Sequence, residues 1–188
     1  MTSIEEHHPL RIRTALLIVD AQVGLVELMP AEVQRSVLPR IRTLIAKARA
    51  SAIPVIYIQH DGSKRHPLET HTKGWEIYPF LKPADGEPVI RKRESDSFFG
   101  TTLQRELEKR GITHLIIAGG MTEYCVDTTC RRAASVGYDA TLAGDAHFTR
   151  DNEVLTAANI IAHHNFVLDG FGAGDHTVSV KPADEIVF

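Results

Sequence analysis

Cys125 is the residue of this chain best placed for covalent chemistry. It follows an apolar run, Leu115–Ala118, and two glycines, Gly119 and Gly120, near the predicted start of a helix. A helix N-terminus favours negative charge because its first backbone N–H groups are unpaired, so a thiolate forms there more readily than elsewhere. The pattern indicates a cysteine nucleophile. The alternative is a small cysteine that only packs in the core, since free cysteine is among the most buried residue types.

Two charged residues follow other apolar runs and supply what a cysteine nucleophile needs. Asp20 ends the run LLIVD, and Lys92 follows the run PVIR. Ligands of open parallel sheets bind beyond the carboxyl ends of the strands, so we expect both side chains to lie near Cys125. Asp20 can take the thiol proton and later return it to a leaving nitrogen, while Lys92 can stabilise a thiolate by its charge. Taken singly, Asp20 is also a good helix cap and Lys92 an ordinary surface charge, and their joint placement favours chemistry.

The elements that must position these residues alternate between strands and helices. Strands are predicted at 15–19, 55–58, 88–90, 115–118, 140–142 and 165–168, with a last short one near 178–180, and helices at 31–50, 102–110, 123–136 and 152–163. Strands alternating with helices imply right-handed βαβ units. The predicted fold is therefore a three-layer α/β/α structure with a mostly parallel, six-stranded central sheet.

Composition predicts one α/β domain over residues 1–188 and excludes several kinds of partner. The chain has 21 basic and 24 acidic residues, and no basic cluster that would follow a nucleic-acid backbone or an anionic membrane. The first fourteen residues lack the apolar core of a signal peptide, and no run approaches the ~18 apolar residues of a membrane helix. We therefore expect a cytoplasmic protein. Cys125 and Cys130 lie about 140° apart on one helix, which favours free thiols over a disulfide.

Three motifs resemble those of the isochorismatase-like cysteine hydrolases, a family that includes nicotinamidases and related amidases. The motifs are ALLIVDAQVG, PVIRKRESDSFFGTTL and GGMTEYCVDTTCRRAASVGYDATLAGDA, and the resemblance runs from about residue 14 to about residue 168. It implies that Asp20, Lys92 and Cys125 form a catalytic triad. It also implies a cis peptide bond between Gly120 and Met121, with the N–H groups of Met121 and Cys125 forming an oxyanion hole. Members of this family form dimers or tetramers, so a homodimer or homotetramer is expected.

One departure from the family concerns metals. Nicotinamidases hold a metal with an Asp-x-His pair after the second strand, whereas this chain has His60, Asp61 and Gly62 there. Because a metal site needs three or four ligands in defined geometry, we expect no metal and no other cofactor, and nicotinamide is not favoured as the substrate. Whether His60, His66 or His71 binds a metal is left open by the sequence.

The resemblance also places Gln22, Trp75, Phe99 and Tyr124 around the substrate pocket. Trp75 belongs to the long polar segment 59–82, whose length is typical of a functional loop. The predicted activity is hydrolysis of a small-molecule amide through a thioester intermediate. Two alternatives remain: vinyl-ether hydrolysis of isochorismate, which needs an acid at Asp20 but no thiol, and a non-catalytic relative that only binds a small molecule.

Overall fold

A seven-stranded sheet runs through the centre of the computed structural model, which describes residues 13–188. The strands are β1 (Thr14–Val19), β2 (Val55–His60), β3 (Val89–Lys92), β4 (His114–Gly120), β5 (Asp139–Phe148), β6 (Gly172–Ala173) and β7 (His176–Lys181). Their order across the sheet is β3-β2-β1-β4-β5-β7-β6, and every neighbouring pair is parallel except β6 and β7. Most of the segment in which we predicted no signal peptide, residues 1–12, lies outside the described residues.

Between residues 13 and 188, five α-helices flank this sheet. They are α1 (Val23–Val26), α2 (Ala31–Ala50), α3 (Leu103–Lys109), α4 (Asp127–Ser135) and α5 (Ala157–Leu168). A π-helical turn, Thr122–Val126, precedes α4, and two short 3₁₀ turns, Lys73–Trp75 and Pro79–Leu81, lie between β2 and β3. Within residues 13–188, none of the helices combines the length and apolar composition that a bilayer-spanning segment requires.

The predicted α/β/α layers and mostly parallel sheet are confirmed, with two corrections. The sheet has seven strands rather than six, because the two-residue strand β6 pairs antiparallel with β7. The strand predicted at 165–168 is wrong, since these residues form the last turn of α5. Ile160 and Leu168 are both buried and lie eight residues apart, which places them on one helical face. The apolar run there therefore continues a helix instead of starting a strand.

Strand β1 shows why the central strands consist of continuous apolar runs. Leu16 and Ile18 belong to the core cluster that contains α2, whereas Leu17 and Val19 belong to the cluster that contains α3 and α4. Successive side chains of a strand point to opposite faces, and here both faces are covered by helices. The carboxyl ends of β1, β2, β3 and β4 consequently meet at one edge of a rigid sheet, which is where the predicted reactive residues stand.

The long segment between β2 and β3 is attached to this same edge by Gln22. The Gln22 amide donates to the carbonyl oxygens of His60 at 3.0 Å and Trp75 at 2.8 Å, and its own oxygen accepts from the His60 N–H at 2.9 Å. Gln22 also forms an isolated β-bridge with Ile77. The segment is thereby fixed over the carboxyl ends of β1 and β2.

Candidate active site

Asp20 is the first residue beyond β1, and its carboxylate is fully buried. Its backbone adopts a left-handed conformation, with φ at 43°, which turns the chain sharply at the strand end. The neighbouring strand can approach closely because Gly119 pairs with Val19. A Cβ at Gly119 would lie 2.0 Å from the Val19 carbonyl oxygen, and its φ is +117°, so only glycine fits there. This close approach brings the end of β4 beside Asp20.

Lys92 is the last residue of β3 and reaches past β2 to Asp20. Its Nζ lies 2.7 Å from Asp20 Oδ2, and both side chains are fully buried. Nζ also donates to the backbone carbonyls of Glu94 at 3.0 Å and Ser95 at 3.3 Å. Burial by itself lowers the pKa of Lys92, but the adjacent Asp20 carboxylate and the neighbouring Cys125 outweigh it, and the net pKa is raised. Lys92 is therefore an ammonium ion held in one place.

Cys125 completes the cluster from the π-helical turn after β4. The Gly120–Met121 peptide bond at the start of this turn is cis. The Cys125 residue is 9% exposed, and its Sγ lies within 4.8 Å of ligand atoms of both Asp20 and His60. The structure thus brings together the three residues that the sequence analysis singled out. π-helical turns are rare in proteins, and those that do occur are often found at functional sites.

The protonation state of Cys125 differs from the expectation based on a helix N-terminus. Burial and the adjacent Asp20 carboxylate raise the pKa of the Cys125 thiol from 9.0 to about 12, and Lys92 offsets only part of that increase. Asp20 already neutralises much of the Lys92 charge, which leaves little to stabilise a thiolate. At neutral pH Cys125 is consequently a thiol, and a base has to remove its proton as it attacks.

A buried polar network supports the turn that carries Cys125. Thr122 Oγ1 and His147 Nδ1 lie 2.8 Å apart, as do His147 Nε2 and Asn165 Oδ1. The Asn165 amide nitrogen donates to the Gly144 carbonyl at 2.8 Å, so its oxygen must accept from His147 Nε2. His147 Nδ1 then accepts the Thr122 hydroxyl proton. Burial lowers the pKa of His147 to about 4, which keeps this imidazole neutral. No local sequence motif links the members of this network, so it could not be predicted from the sequence.

A cavity of about 310 Å³ opens onto Cys125 and Asp20. Six less polar side chains form much of its wall: Leu25, Leu28, Pro67, Leu68, Met121 and Tyr124. Its volume suits a small molecule. A larger cleft of about 680 Å³ lies between α2 and residues 79–84, but no acid, thiol or histidine lines it. We therefore place the candidate active site in the smaller cavity.

The polar lining of this cavity includes residues that the pocket prediction did not contain. They are His60, His66, Ser95 and Arg150. Among residues 13–188, the buried Nδ1 of His60 has no hydrogen-bond partner. Burial lowers the pKa of His60, so the imidazole is neutral at pH 7. The sequence did carry a signal for His60, because it ends the run VIYIQH in the same way as Asp20 ends LLIVD.

Of the four residues predicted around the pocket, Tyr124 lines this cavity and the other three lie elsewhere. Gln22 is fully buried and holds the segment after β2. Trp75 donates its indole N–H to Asp61 Oδ1 at 2.9 Å and stacks under the Arg91 guanidinium. Phe99 is 64% exposed and lines a separate surface pocket beside the segment 91–94.

The residues after β2 do not fit a metal centre of the nicotinamidase kind. The Asp61 carboxylate accepts from Arg91 at 2.8 Å as well as from the Trp75 indole. His66 Nδ1 accepts the Leu68 N–H at 3.1 Å. Across the described part of the chain, the set of three side chains with metal-ligand spacing is instead Asp20, His60 and Cys125.

Comparison with known proteins agrees with the geometry. The model of the isochorismatase domain matches residues 14–167. The chain is 39% identical over 140 residues to a streptothricin hydrolase of Streptomyces noursei, which covers 73% of this chain and 50% of that protein. It is 39% identical over 89 residues to the ureidoacrylate amidohydrolase RutB of Variovorax paradoxus, covering 46% of this chain and 35% of that one. The chain thus spans about half or less of the length of these two relatives.

A solved structure has the same fold over nearly the whole chain. The crystal structure of an isochorismatase from Pseudomonas putida KT2440 superposes with a TM-score of 0.83 at 30% sequence identity. The match covers 96% of this chain and 94% of that one. The likeness therefore extends beyond the three motifs to the entire sheet and its helices.

Proposed function

The chain belongs to the isochorismatase family, and we propose that it hydrolyses an amide bond of a small molecule through a thioester formed on Cys125. The observation that carries this proposal is the position of a buried thiol beside a buried carboxylate and an ammonium group, at the floor of a cavity of about 310 Å³. Two of its relatives are a streptothricin hydrolase and a ureidoacrylate amidohydrolase, which supports hydrolysis of amides.

Acylation begins with the thiol form of Cys125. As Sγ attacks the substrate carbonyl carbon, the thiol proton moves to Asp20, and Lys92 stabilises the negative charge in this part of the site. The backbone N–H groups of Met121 and Cys125 then bind the oxyanion of the tetrahedral intermediate, a role in which one donor commonly contributes about 3 kcal/mol. When the C–N bond breaks, Asp20 gives its proton to the leaving nitrogen. The acyl group remains on Sγ as a thioester.

Deacylation uses the same carboxylate a second time. A water molecule that enters after the amine leaves gives a proton to Asp20 and attacks the thioester carbonyl. The C–S bond breaks, the carboxylic acid departs, and the proton on Asp20 returns to the sulfur of Cys125. The raised pKa of the thiol makes this last transfer favourable, because the sulfur binds the proton more tightly than an ordinary cysteine does.

The vinyl-ether hydrolysis of isochorismate is the second candidate, since the structural relative is an isochorismatase. That reaction requires Asp20 as an acid and does not use a thiol. The two candidates therefore differ in their dependence on Cys125. A cysteine that is nearly buried and still lines the cavity favours the amide reaction.

The test compares Cys125→Ala with Cys130→Ala on streptothricin, ureidoacrylate and isochorismate, with product formation followed by mass spectrometry. Cys130 is the matched control because it is a fully buried cysteine on the next helix, outside the cavity. We expect Cys125→Ala to lower amide hydrolysis by about 10⁴-fold or more, as loss of a nucleophile does, while Cys130→Ala stays active. Isochorismate turnover that survives in Cys125→Ala would instead establish the second candidate.

A further inference from the structure

We propose that Asp20, His60 and Cys125 bind a thiophilic divalent cation such as Zn²⁺, and that this cation reversibly blocks the active site. One ligand atom from each residue lies within 4.8 Å of the other two. Zinc bonds of about 2.0–2.3 Å put tetrahedral ligands about 3.3–3.8 Å apart, so side-chain movements of about 1 Å would complete the site. The blocking effect rests on the proposed function, whereas the binding itself does not.

Two atoms that could bind a metal at this site have no hydrogen-bond partner in the described part of the chain. Among residues 13–188, none donates a hydrogen bond to Asp20 Oδ1, and none pairs with the buried His60 Nδ1. Buried polar atoms are ordinarily satisfied, because an unpaired one costs about 1–3 kcal/mol. The Asp20 carboxylate and the His60 imidazole therefore each have free capacity to bind a cation. The cavity opens onto the same residues, which gives the cation a path of entry and a fourth position for water.

The donor set selects the class of cation. A sulfur, an imidazole nitrogen and a carboxylate oxygen suit Zn²⁺ and Cd²⁺, whereas Mg²⁺ and Ca²⁺ prefer oxygen ligands alone. The thiol releases its proton to the buffer as the S–metal bond forms. A thiolate and a carboxylate then face the cation, and Lys92 offsets one of those two charges. Because the Lys92 ammonium repels a cation at this site, we expect binding that a chelator can reverse. A bound cation occupies both the nucleophile and the general base.

Two other histidines of the region serve different contacts. His66 Nδ1 accepts the Leu68 N–H, and His71 packs against the Trp75 ring with centroids 5.4 Å apart. His71 does not line the cavity. Its backbone φ is +68°, a conformation that asparagine tolerates, so His71→Asn is the matched control for His60→Gln.

The experiment titrates ZnCl₂ into the chelator-treated full chain by isothermal titration calorimetry, without substrate. We expect one equivalent to bind, at least tenfold weaker binding in His60→Gln, no binding at this site in Cys125→Ser, and unchanged binding in His71→Asn. MgCl₂ should give no heat of binding. In parallel, Zn²⁺ should protect Cys125 from iodoacetamide until EDTA is added. Circular dichroism and a second variant, His60→Asn, separate loss of a ligand from loss of folding.

Equal affinity of the wild type and both folded His60 variants would overturn the proposal, as would zinc binding that persists in Cys125→Ser. Binding that falls equally in His71→Asn would indicate adventitious histidine contacts and would also overturn it. Because the titration uses no substrate, its result is independent of turnover. A chain that binds zinc but hydrolyses no amide even after chelator treatment would refute the proposed function alone. A chain that hydrolyses an amide but does not bind zinc would refute this inference alone.

Discussion

Replacing Asp20 by asparagine should make Cys125 more reactive toward alkylating agents while it lowers turnover. The Asp20 carboxylate is the second largest cause, after burial, of the raised pKa of the Cys125 thiol. Asparagine has nearly the same shape but no charge. In the variant, the ammonium of Lys92 has lost its partner at 2.7 Å and its charge acts on the sulfur instead. The thiol should therefore become more acidic.

The size of the effect follows from the raised pKa. Each unit by which the pKa falls raises the thiolate fraction tenfold but lowers the reactivity of the thiolate by about 2.5- to 3-fold, a net gain of about 3- to 4-fold. A complete return from about 12 to 9.0 is three units and sets an upper limit of about thirty- to sixtyfold. Burial remains in the variant, so we expect an increase on the order of tenfold. Turnover should fall by about 10²- to 10⁴-fold, because the general base is lost.

The assay measures the rate of iodoacetamide alkylation at Cys125 between pH 7 and pH 10, by peptide mass spectrometry, with Cys130 as the internal reference. Burial raises the pKa of Cys130, and its residue is fully enclosed in the core, so it should stay unmodified in folded protein. Lys92→Met is the opposing control. Removing the ammonium removes the one charge that lowers the Cys125 pKa, so alkylation should become slower.

Two results would show that Asp20 does not raise the pKa of Cys125. If alkylation of Cys125 in Asp20→Asn were as slow as in the wild type or slower, the carboxylate would not be what keeps the thiol protonated. If the apparent pKa of wild-type Cys125 were below 9.0, the direction of its shift would be wrong. The Asp20→Asn protein must also give the wild-type circular dichroism spectrum, since unfolding would expose both cysteines.

Two further predictions concern stability. Burial lowers the pKa of His147 from 6.5 to about 4, so the unfolded state takes up a proton first as the pH falls. The free energy of unfolding should therefore drop by up to about 3 kcal/mol between pH 6.5 and pH 4. Urea titrations should show a smaller drop in His147→Gln. Gly119→Ala should destabilise the protein by more than about 1 kcal/mol, and clearly more than Gly100→Ala. Both glycines have positive φ, but only at Gly119 would a Cβ collide with β1. Equal losses of stability in the two variants would show that the contact between Gly119 and β1 does not matter.

The strand-end rule accounts for much of what the sequence predicts here. Asp20 and Lys92 lie at the ends of apolar runs. Parallel strands place their carboxyl ends at one edge of the sheet, and this holds for any sequence of the connecting segments. The same rule applied to His60 would have placed it in the site. Local patterns of this kind are readable because each depends on one strand and its period.

The features that escaped prediction depend on contacts between distant segments. Gln22 and Trp75 belong to sequence segments that carry site residues, but their side chains do not line the cavity. Gln22 donates to the backbone carbonyls of His60 and Trp75, and Trp75 donates to Asp61. The raised pKa of Cys125 arises from burial and from Asp20, which lies about one hundred residues away in the chain. The position of Cys125 near a helix N-terminus depends only on the local backbone, and by itself it predicts a lowered pKa instead of a raised one.

Whether Cys125 forms a thioester is decided by the mass of the enzyme quenched in acid during turnover of an amide substrate. We expect a covalent adduct with the mass of the acyl group on the peptide that contains Cys125, and no adduct on any peptide of Cys125→Ala. Hydroxylamine should release this adduct as a hydroxamate, as it does with thioesters. Steady turnover with no adduct at Cys125, together with an active Cys125→Ala enzyme, would rule out the thioester mechanism.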